Sequence, residues 1–355
     1  MLNSLYPQDP SLDSVRNYYG KVLSSSQDLK TSACCVASPV ESRIREALKD
    51  IHPDVLQRFY GCGSPIPTAL EGLKVLDLGS GSGRDCYILS RLVGEQGKVI
   101  GVDMTPEQIQ LAAEHLDYHR EKFSFAQSNV EFREGLIEDL ESCGIPSNSV
   151  DLVVSNCVIN LSPAKKRVFA EAFRVLKPGG EMYFSDVFCN RRLDPSLRED
   201  PVLLGECLAG AMYTEDFRRL MLDLGCRDIR VMSQSKIDLV DEKVREKMGA
   251  AEFFSITFRA FKLDLEDKCE DYGQIAIYKG TLKECPQVFV LDDHHSFEKG
   301  RPYPVCSNTA DMLNKTRFAS HFEILGNTSV HYGLFDCGPT PSASESSASN
   351  PGACC

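Results

Sequence analysis

The period of the apolar positions changes near residue 74. Upstream, Val40 to Asp50 alternates apolar and charged side chains at helical spacing, with Ile44, Leu48 and Ile51 on one stripe. A second helix is predicted from Pro53, suited to a first helical position, to a stop at Gly61. Downstream come short, nearly continuous apolar runs: Lys74–Leu78, Lys98–Asp103, Val130–Arg133, Val150–Ser155 and Glu181–Val187. Strands covered on both faces need such runs. Between the second and third runs, Thr105-Pro106-Glu107-Gln108 predicts an N-cap, a first-turn proline and a capping-box glutamine, with Ile109, Ala112, Ala113 and Leu116 following on one face. Ser162-Pro163 opens another helix, closed by Lys177-Pro178-Gly179-Gly180. Alternation of this kind predicts an α/β fold with a parallel doubly wound sheet.

Residues 190–226 break the rhythm with helix-like segments, ending in Thr214 to Leu224 and a Gly225 stop. Asp228–Met232 and Phe253–Lys262 are expected to complete the sheet. Beyond about residue 264, strand-like Gln274–Tyr278 and Val288–Leu291 and a helix near Thr309–Thr316 predict a small C-terminal α+β appendage. The expected division is a helical cap over 1–65, a cofactor domain over 66–189, a covering insertion with the last strands over 190–263, and the appendage over 264–337. Residues 338–355, rich in Pro, Ser, Ala and Gly and ending in Cys354-Cys355, are expected to be disordered.

Composition narrows the function. Thirty-nine basic against fifty-one acidic residues give a net charge of -12, which opposes phosphate backbones and anionic membranes. No apolar run approaches the ~20 residues that span a bilayer, and Met1 to Pro7 has neither the basic start nor the apolar stretch of a targeting segment. A soluble, cytosolic protein is expected. The fifteen cysteines are an odd number and too dilute for a secreted disulfide scaffold, so most should be thiols.

The segment Val75 to Asp85 joins the first strand to a helix through Gly79, Gly81 and Gly83, which points backbone N–H groups and a helix N-terminus at an anion. A dinucleotide fingerprint needs a sixth-place glycine, and Arg84 stands there. Asp77 would repel pyrophosphate yet suits the ammonium of an amino-acid cofactor. Asp103, closing the second strand, is placed to accept from both ribose hydroxyls. Gly135-Leu136-Ile137-Glu138-Asp139, after the third, offers an apolar wall and an acceptor for an adenine. Acids at three successive strand ends outweigh the reading in which the glycines merely turn the chain. The set resembles the S-adenosylmethionine site of class I methyltransferases over about residues 66–263.

At the end of the fourth strand the chain reads Ser155-Asn156-Cys157-Val158-Ile159-Asn160-Leu161, without the Asn/Asp-Pro-Pro-aromatic motif of base methyltransferases or an acidic magnesium set. Cys157 is expected to face the methyl site, and Cys207 to lie in the insertion that covers it. Cys62, between glycines, and Cys34-Cys35 come from the cap, while Cys86, Cys143, Cys226 and Cys285 read as small apolar fillers.

The phrases Leu29 to Cys34, Arg58 to Gly63, Gly79 to Asp85, Ser155 to Leu161 and Gly205-Glu206-Cys207 together resemble the arsenite methyltransferases of animals and algae. The resemblance implies arsenic bound by Cys62, Cys157 and Cys207, with Cys34 joining Cys62 in redox cycling and thioredoxin or glutathione as reductant. The cofactor positions assigned on this reading are Tyr60, Asp77, Gly79, Gly81, Gly83, Arg84, Asp85, Asp103, Met104, Ile137, Glu138 and Asn156. Trivalent arsenic is soft, prefers thiolates and keeps a lone pair opposite its sulfur ligands, so arsenite and methylarsenite are the expected acceptors. The rivals are a methyltransferase of another small molecule, marked by turnover without arsenite, and a non-enzymatic thiol-based binder, marked by binding that does not need the glycine loop.

Overall fold

The computed structural model describes residues 12, 15, 16, 41–59, 61 and 63–336. Cys34, Cys35, Tyr60, Cys62, Cys337 and the 338–355 tail lie outside the described residues. Two short helices, α1 (Ser42–Leu48) and α2 (Pro53–Gln57), lead into β1 (Lys74–Leu78), α3 (Arg84–Val93), β2 (Lys98–Asp103), α4 (Pro106–Glu114), α5 (Leu116–Lys122), β3 (Val130–Glu134) and β4 (Val150–Asn156). Then follow α6 (Lys165–Val175), β5 (Leu176–Cys189), α7 (Pro201–Gly205), β6 (Met212–Tyr213), α8 (Thr214–Asp223), β7 (Ile229–Ile237), α9 (Glu242–Met248) and β8 (Phe253–Phe261).

The main sheet runs β3-β2-β1-β4-β5-β8-β7, with β6 paired to β5. It is parallel from β3 through β5, as the alternation predicted, but β8 lies antiparallel to both β5 and β7. The last strand therefore slots between its two predecessors, and the sheet is mixed. Because β1 pairs with both β2 and β4, successive connections leave in opposite directions at its carboxyl end, where such sheets open a crevice. The expected capping box does not form: Thr105 precedes α4 but its side chain makes no capping bond.

Both sheet faces are packed. On one, Phe169 of α6 and Phe217 of α8 meet Phe184, Phe188 and Phe258, with tilted and edge-on rings at centroid distances of 4.9 to 6.5 Å. On the other, Ile44, Ala47, Ile51 and Val55 of the cap pack with Val75, Leu89 and Val99. Tyr87 stacks on His119 at 3.5 Å, and His119 Nε2 accepts the His52 N–H at 3.2 Å, fixing the cap near the carboxyl edge.

The chain ends in β9 (Glu270–Asp271), β10 (Gln274–Tyr278), β11 (Val288–Val290), β12 (Ser296–Glu298), β13 (Pro302–Val305), α10 (Ser307–Asn314), β14 (Phe322–Leu325) and β15 (Gly333–Leu334). These form a β13-β10-β14 sheet and two small ladders, β11-β12 and β15-β9. They meet the main sheet through Glu181 of β5, whose fully buried carboxylate pairs with Arg259 of β8 and Arg317.

Candidate active site

The loop Gly79 to Gly83 turns from β1 into α3 over the crevice. Gly79 has φ of +72°, and a Cβ there would fall 2.4 Å from Val158 Cγ2, so only glycine lets the loop close on the exit of β4. Behind it opens a cleft at the carboxyl ends of β1, β2 and β4. The cleft brings together Asp77, Gly79, Gly81, Asp85, Asp103, Met104, Ile137, Glu138, Asn156 and Cys157. Gly83 and Arg84, also expected at the cofactor, do not line the cleft, and the Arg84 guanidinium lies 3.5 Å over the Phe59 ring.

The electrostatics of this cleft ask for a cation. Burial, reinforced by the neighbouring Asp85 and Asp103, pushes Asp77 up to about 8. Burial also raises Asp103, against the pull of N–H groups from Thr105 and Gly81 at 2.8 and 2.9 Å. Each Asp103 oxygen thus accepts a backbone N–H, with the Thr105 side chain and the Met104 N–H as further donors to the carboxylate. Cys86, expected to be an apolar filler, donates its thiol to Asp77 at 3.2 Å. Ser80 Oγ is buried without a hydrogen-bond partner among the described residues. Clustered carboxylates, Asp103 at the end of β2, an orphaned hydroxyl and the Ile137 wall fit a ligand with an ammonium group, vicinal hydroxyls and an adenine, as S-adenosylmethionine has.

At the far end Cys157 and Cys207 converge. Cys157 follows β4 directly, its N–H held by the Ser185 carbonyl at 2.8 Å, and it is disulfide-bonded. Cys207, fully buried just after α7, donates its thiol to the Cys157 carbonyl at 3.2 Å and is not part of a disulfide. Both have left-handed backbones, at φ of 58° and 63°. L residues avoid that region, and strain of this kind gathers at functional sites.

Asp186 completes a trio with Cys157 and Cys207 whose ligand atoms all lie within 4.8 Å of one another. The sequence reading missed it. Burial pushes Asp186 up to about 7, and it binds Asn160 Nδ2 at 2.7 Å and the N–H groups of Asn160 and Val187 at 3.2 and 2.8 Å. Lys165, brought down to about 8 by burial and by Arg198, lies in the field of Asp186 and Cys207. Also missed were Leu12 and Val15, which line the cleft from the N-terminal segment and carry no local signal.

The predicted cap docks at this end through the residues flanking Cys62. Gly63 exchanges hydrogen bonds with the Asn156 side chain at 3.2 and 3.0 Å. A Cβ on Gly61 would lie 2.5 Å from Asn156 Nδ2. Asn156 immediately precedes Cys157.

A sheet of this order, with a glycine loop at its switch point and acids at successive strand ends, defines a class I S-adenosylmethionine-dependent methyltransferase. Residues 69–226 match the methyltransferase domain family and residues 272–355 the arsenite methyltransferase C-terminal domain. An arsenite methyltransferase of Aquipseudomonas alcaligenes is 56% identical, covering 92% of this chain and 94% of its own length. The arsenite methyltransferase of Mus musculus is 44% identical over 87% of this chain and 82% of its own. The crystal structure of an arsenic(III) S-adenosylmethionine methyltransferase from Chlamydomonas reinhardtii superposes with a TM-score of 0.81 at 51% identity, covering 84% of this chain and all of that one. The chain belongs to the arsenite methyltransferase family. Among the described residues no helix is long and apolar enough to cross a membrane.

Proposed function

We propose that this enzyme methylates trivalent arsenic, both arsenite and monomethylated arsenic, and couples the reaction to disulfide formation among its own cysteines. The observation that carries the reading is the convergence of Cys157 and Cys207 at the end of the cofactor cleft. Bound S-adenosylmethionine supplies an electrophilic methyl carbon on a sulfonium and leaves as S-adenosylhomocysteine. Asp77 takes its ammonium, Asp103 its ribose, and Ile137 with Glu138 its adenine.

Cys62, Cys157 and Cys207 hold arsenic as a tris-thiolate, leaving its lone pair directed away from the three sulfurs. Asp186, whose oxygens are already engaged by backbone and Asn160, is too hard a donor to replace a thiolate and instead fixes the loop that follows Cys157. No general base is needed, since arsenic presents an unshared pair. Adding a methyl cation to trivalent arsenic raises it formally to the pentavalent state. Two thiols, Cys34 and Cys62 on this reading, return two electrons by becoming a disulfide, which thioredoxin or glutathione reopens by exchange. Cys157 is disulfide-bonded in this structure, so it must be reduced to the thiolate before it can bind arsenic.

Purified protein incubated with arsenite, methyl-labelled S-adenosylmethionine and a thiol is expected to yield labelled methylarsenicals. Label transfer to an organic acceptor without arsenite, or arsenic binding with no transfer, would sink the reading.

A further inference from the structure

Outside the cofactor cleft, two histidines and an aspartate meet where the cap rests on the joint between α4 and α5. His52 is the N-cap of α2, Asp54 lies in its first turn, and His115 stands between the end of α4 and the start of α5. Asp54 Oδ2 is 3.7 Å from both His52 Nδ1 and His115 Nε2, and one ligand atom from each of the three falls within a 4.8 Å span. His115 Nε2 is buried with no hydrogen-bond partner among the described residues, which is costly for a ring nitrogen unless a ligand satisfies it. Behind the three, His119 holds both histidines by their backbones. Its Nε2 accepts the His52 N–H at 3.2 Å, and its Nδ1 lies 2.8 Å from the His115 carbonyl.

We propose that His52, Asp54 and His115 form a binding site for a divalent cation of the zinc class, one that fastens the cap to the α4–α5 joint. Two imidazoles and one carboxylate are a zinc donor set, with water taking the fourth position, whereas calcium and magnesium call for oxygen ligands. Zinc bonds of about 2.0–2.1 Å at a tetrahedral angle hold ligand atoms roughly 3.3 Å apart. The 3.7 Å separations are therefore close to those of a filled site.

The two imidazoles stack with centroids 3.9 Å apart and planes 20° apart, so one ring must turn to point its lone pair at a shared ion. His52 is the ring that turns. It is the more exposed of the two, and its Nδ1 gives up only a long bond from the Asp54 N–H at 3.3 Å. Asp54, 58% exposed, can swing onto the ion from solvent. Trivalent arsenic prefers thiolates and does not compete for these nitrogens. Of the other ligand-like clusters among the described residues, Cys157 with Asp186 and Cys207 belongs to the cleft, and Asp292 with Asp293 and His294 is already engaged. Both Asp292 oxygens bond the His295 ring, and the Arg230 guanidinium and the His294 N–H also donate to them.

The test uses the full chain with isotope-labelled histidines, reduced and titrated with zinc ions. NMR of the ring nitrogens reads the binding, a signal insensitive to zinc held by thiolates elsewhere. Zinc should shift the His52 and His115 rings together and leave those of His294 and His331 in place. Asp54→Asn, a change on an exposed side chain, should weaken this binding at least about tenfold, and His115→Gln should abolish it. Amide exchange across Ser42–Gln57 should slow with zinc in the unaltered chain and not in His115→Gln. A response of one ring alone, no response once the thiols are filled, or full affinity in Asp54→Asn overturns the site. Rings that respond while exchange over the cap stays unchanged overturn the fastening. Methyl transfer enters neither readout, so the site stands or falls apart from the proposed function.

Discussion

The Cys207 thiol donates to the Cys157 carbonyl at 3.2 Å, tying two residues fifty positions apart into one turn of structure. If these sulfurs hold arsenic, neither can be replaced by a serine oxygen. Cys157→Ser and Cys207→Ser should each lose every methylation step. Cys34→Ser and Cys62→Ser should lose methylation of arsenite and keep that of a monomethylated substrate, which needs only two thiolates. Product analysis on the two substrates separates these outcomes, and equal loss on both would refute the division.

Asp186 offers a sharper discrimination between holding arsenic and holding the loop. Asp186→Asn keeps the size and one acceptor but turns one oxygen into a donor facing an N–H it now accepts, that of Asn160 on one oxygen or Val187 on the other. Arsenite affinity is expected to fall while S-adenosylmethionine affinity stays within about twofold. Unchanged arsenic binding, measured by intrinsic fluorescence or calorimetry, would remove Asp186 from the site.

Asp77 carries a pH dependence whose sign follows from its position at about 8. At pH 7 the empty carboxyl is mostly protonated. A cofactor ammonium favours the ionised form, so binding should expel a proton, and affinity should climb as pH rises toward 8 and level off above it. Calorimetry in buffers of different ionisation enthalpy reads this release. Asp77→Asn should abolish it, and a release unchanged in that variant would place the proton elsewhere.

Asp103→Ala should weaken cofactor binding by roughly 1.5–3 kcal/mol, the scale of hydrogen bonds to a charged group. Arsenite binding should be little changed, because Asp103 engages the loop and Thr105 rather than the thiols. Equilibrium binding of both ligands to one preparation checks it.

Glu181 tests the join between the main sheet and the C-terminal strands. Glu181→Ala leaves Arg259, almost wholly buried, and Arg317 without their carboxylate. Breaking a buried pair in this way costs about 3–5 kcal/mol. A denaturant midpoint close to that of the unaltered chain would show that water or a shifted side chain takes the carboxylate's place.

Legibility in the sequence followed locality. β1, β2 and β10 could be read to the residue, because each is a dense apolar run between turn signals. The cleft acids were legible for the same reason, each lying near the end of such a run or just past it. Strand direction was not: period-two patterning is identical in parallel and antiparallel strands, so the insertion of β8 between β5 and β7 left no trace. Asp186 was hidden inside a run read as nearly continuous in apolar character, and its partner Asn160 lies 26 residues upstream. Cys86 looked like a filler because its burial was visible and its acceptor, Asp77, was not.

The left-handed backbones of Cys157 and Cys207 set backbone cost against what their side chains hold. Glycine at either position would relieve roughly 1–2 kcal/mol of backbone cost, partly offset by about 0.4–1 kcal/mol of added freedom in the unfolded chain. Glycine would also break the disulfide at Cys157 and empty a fully buried position at Cys207, so the strained backbone is held in place by the sulfurs the proposed chemistry requires. Any variant library built for robustness should hold both fixed and look for its gains elsewhere.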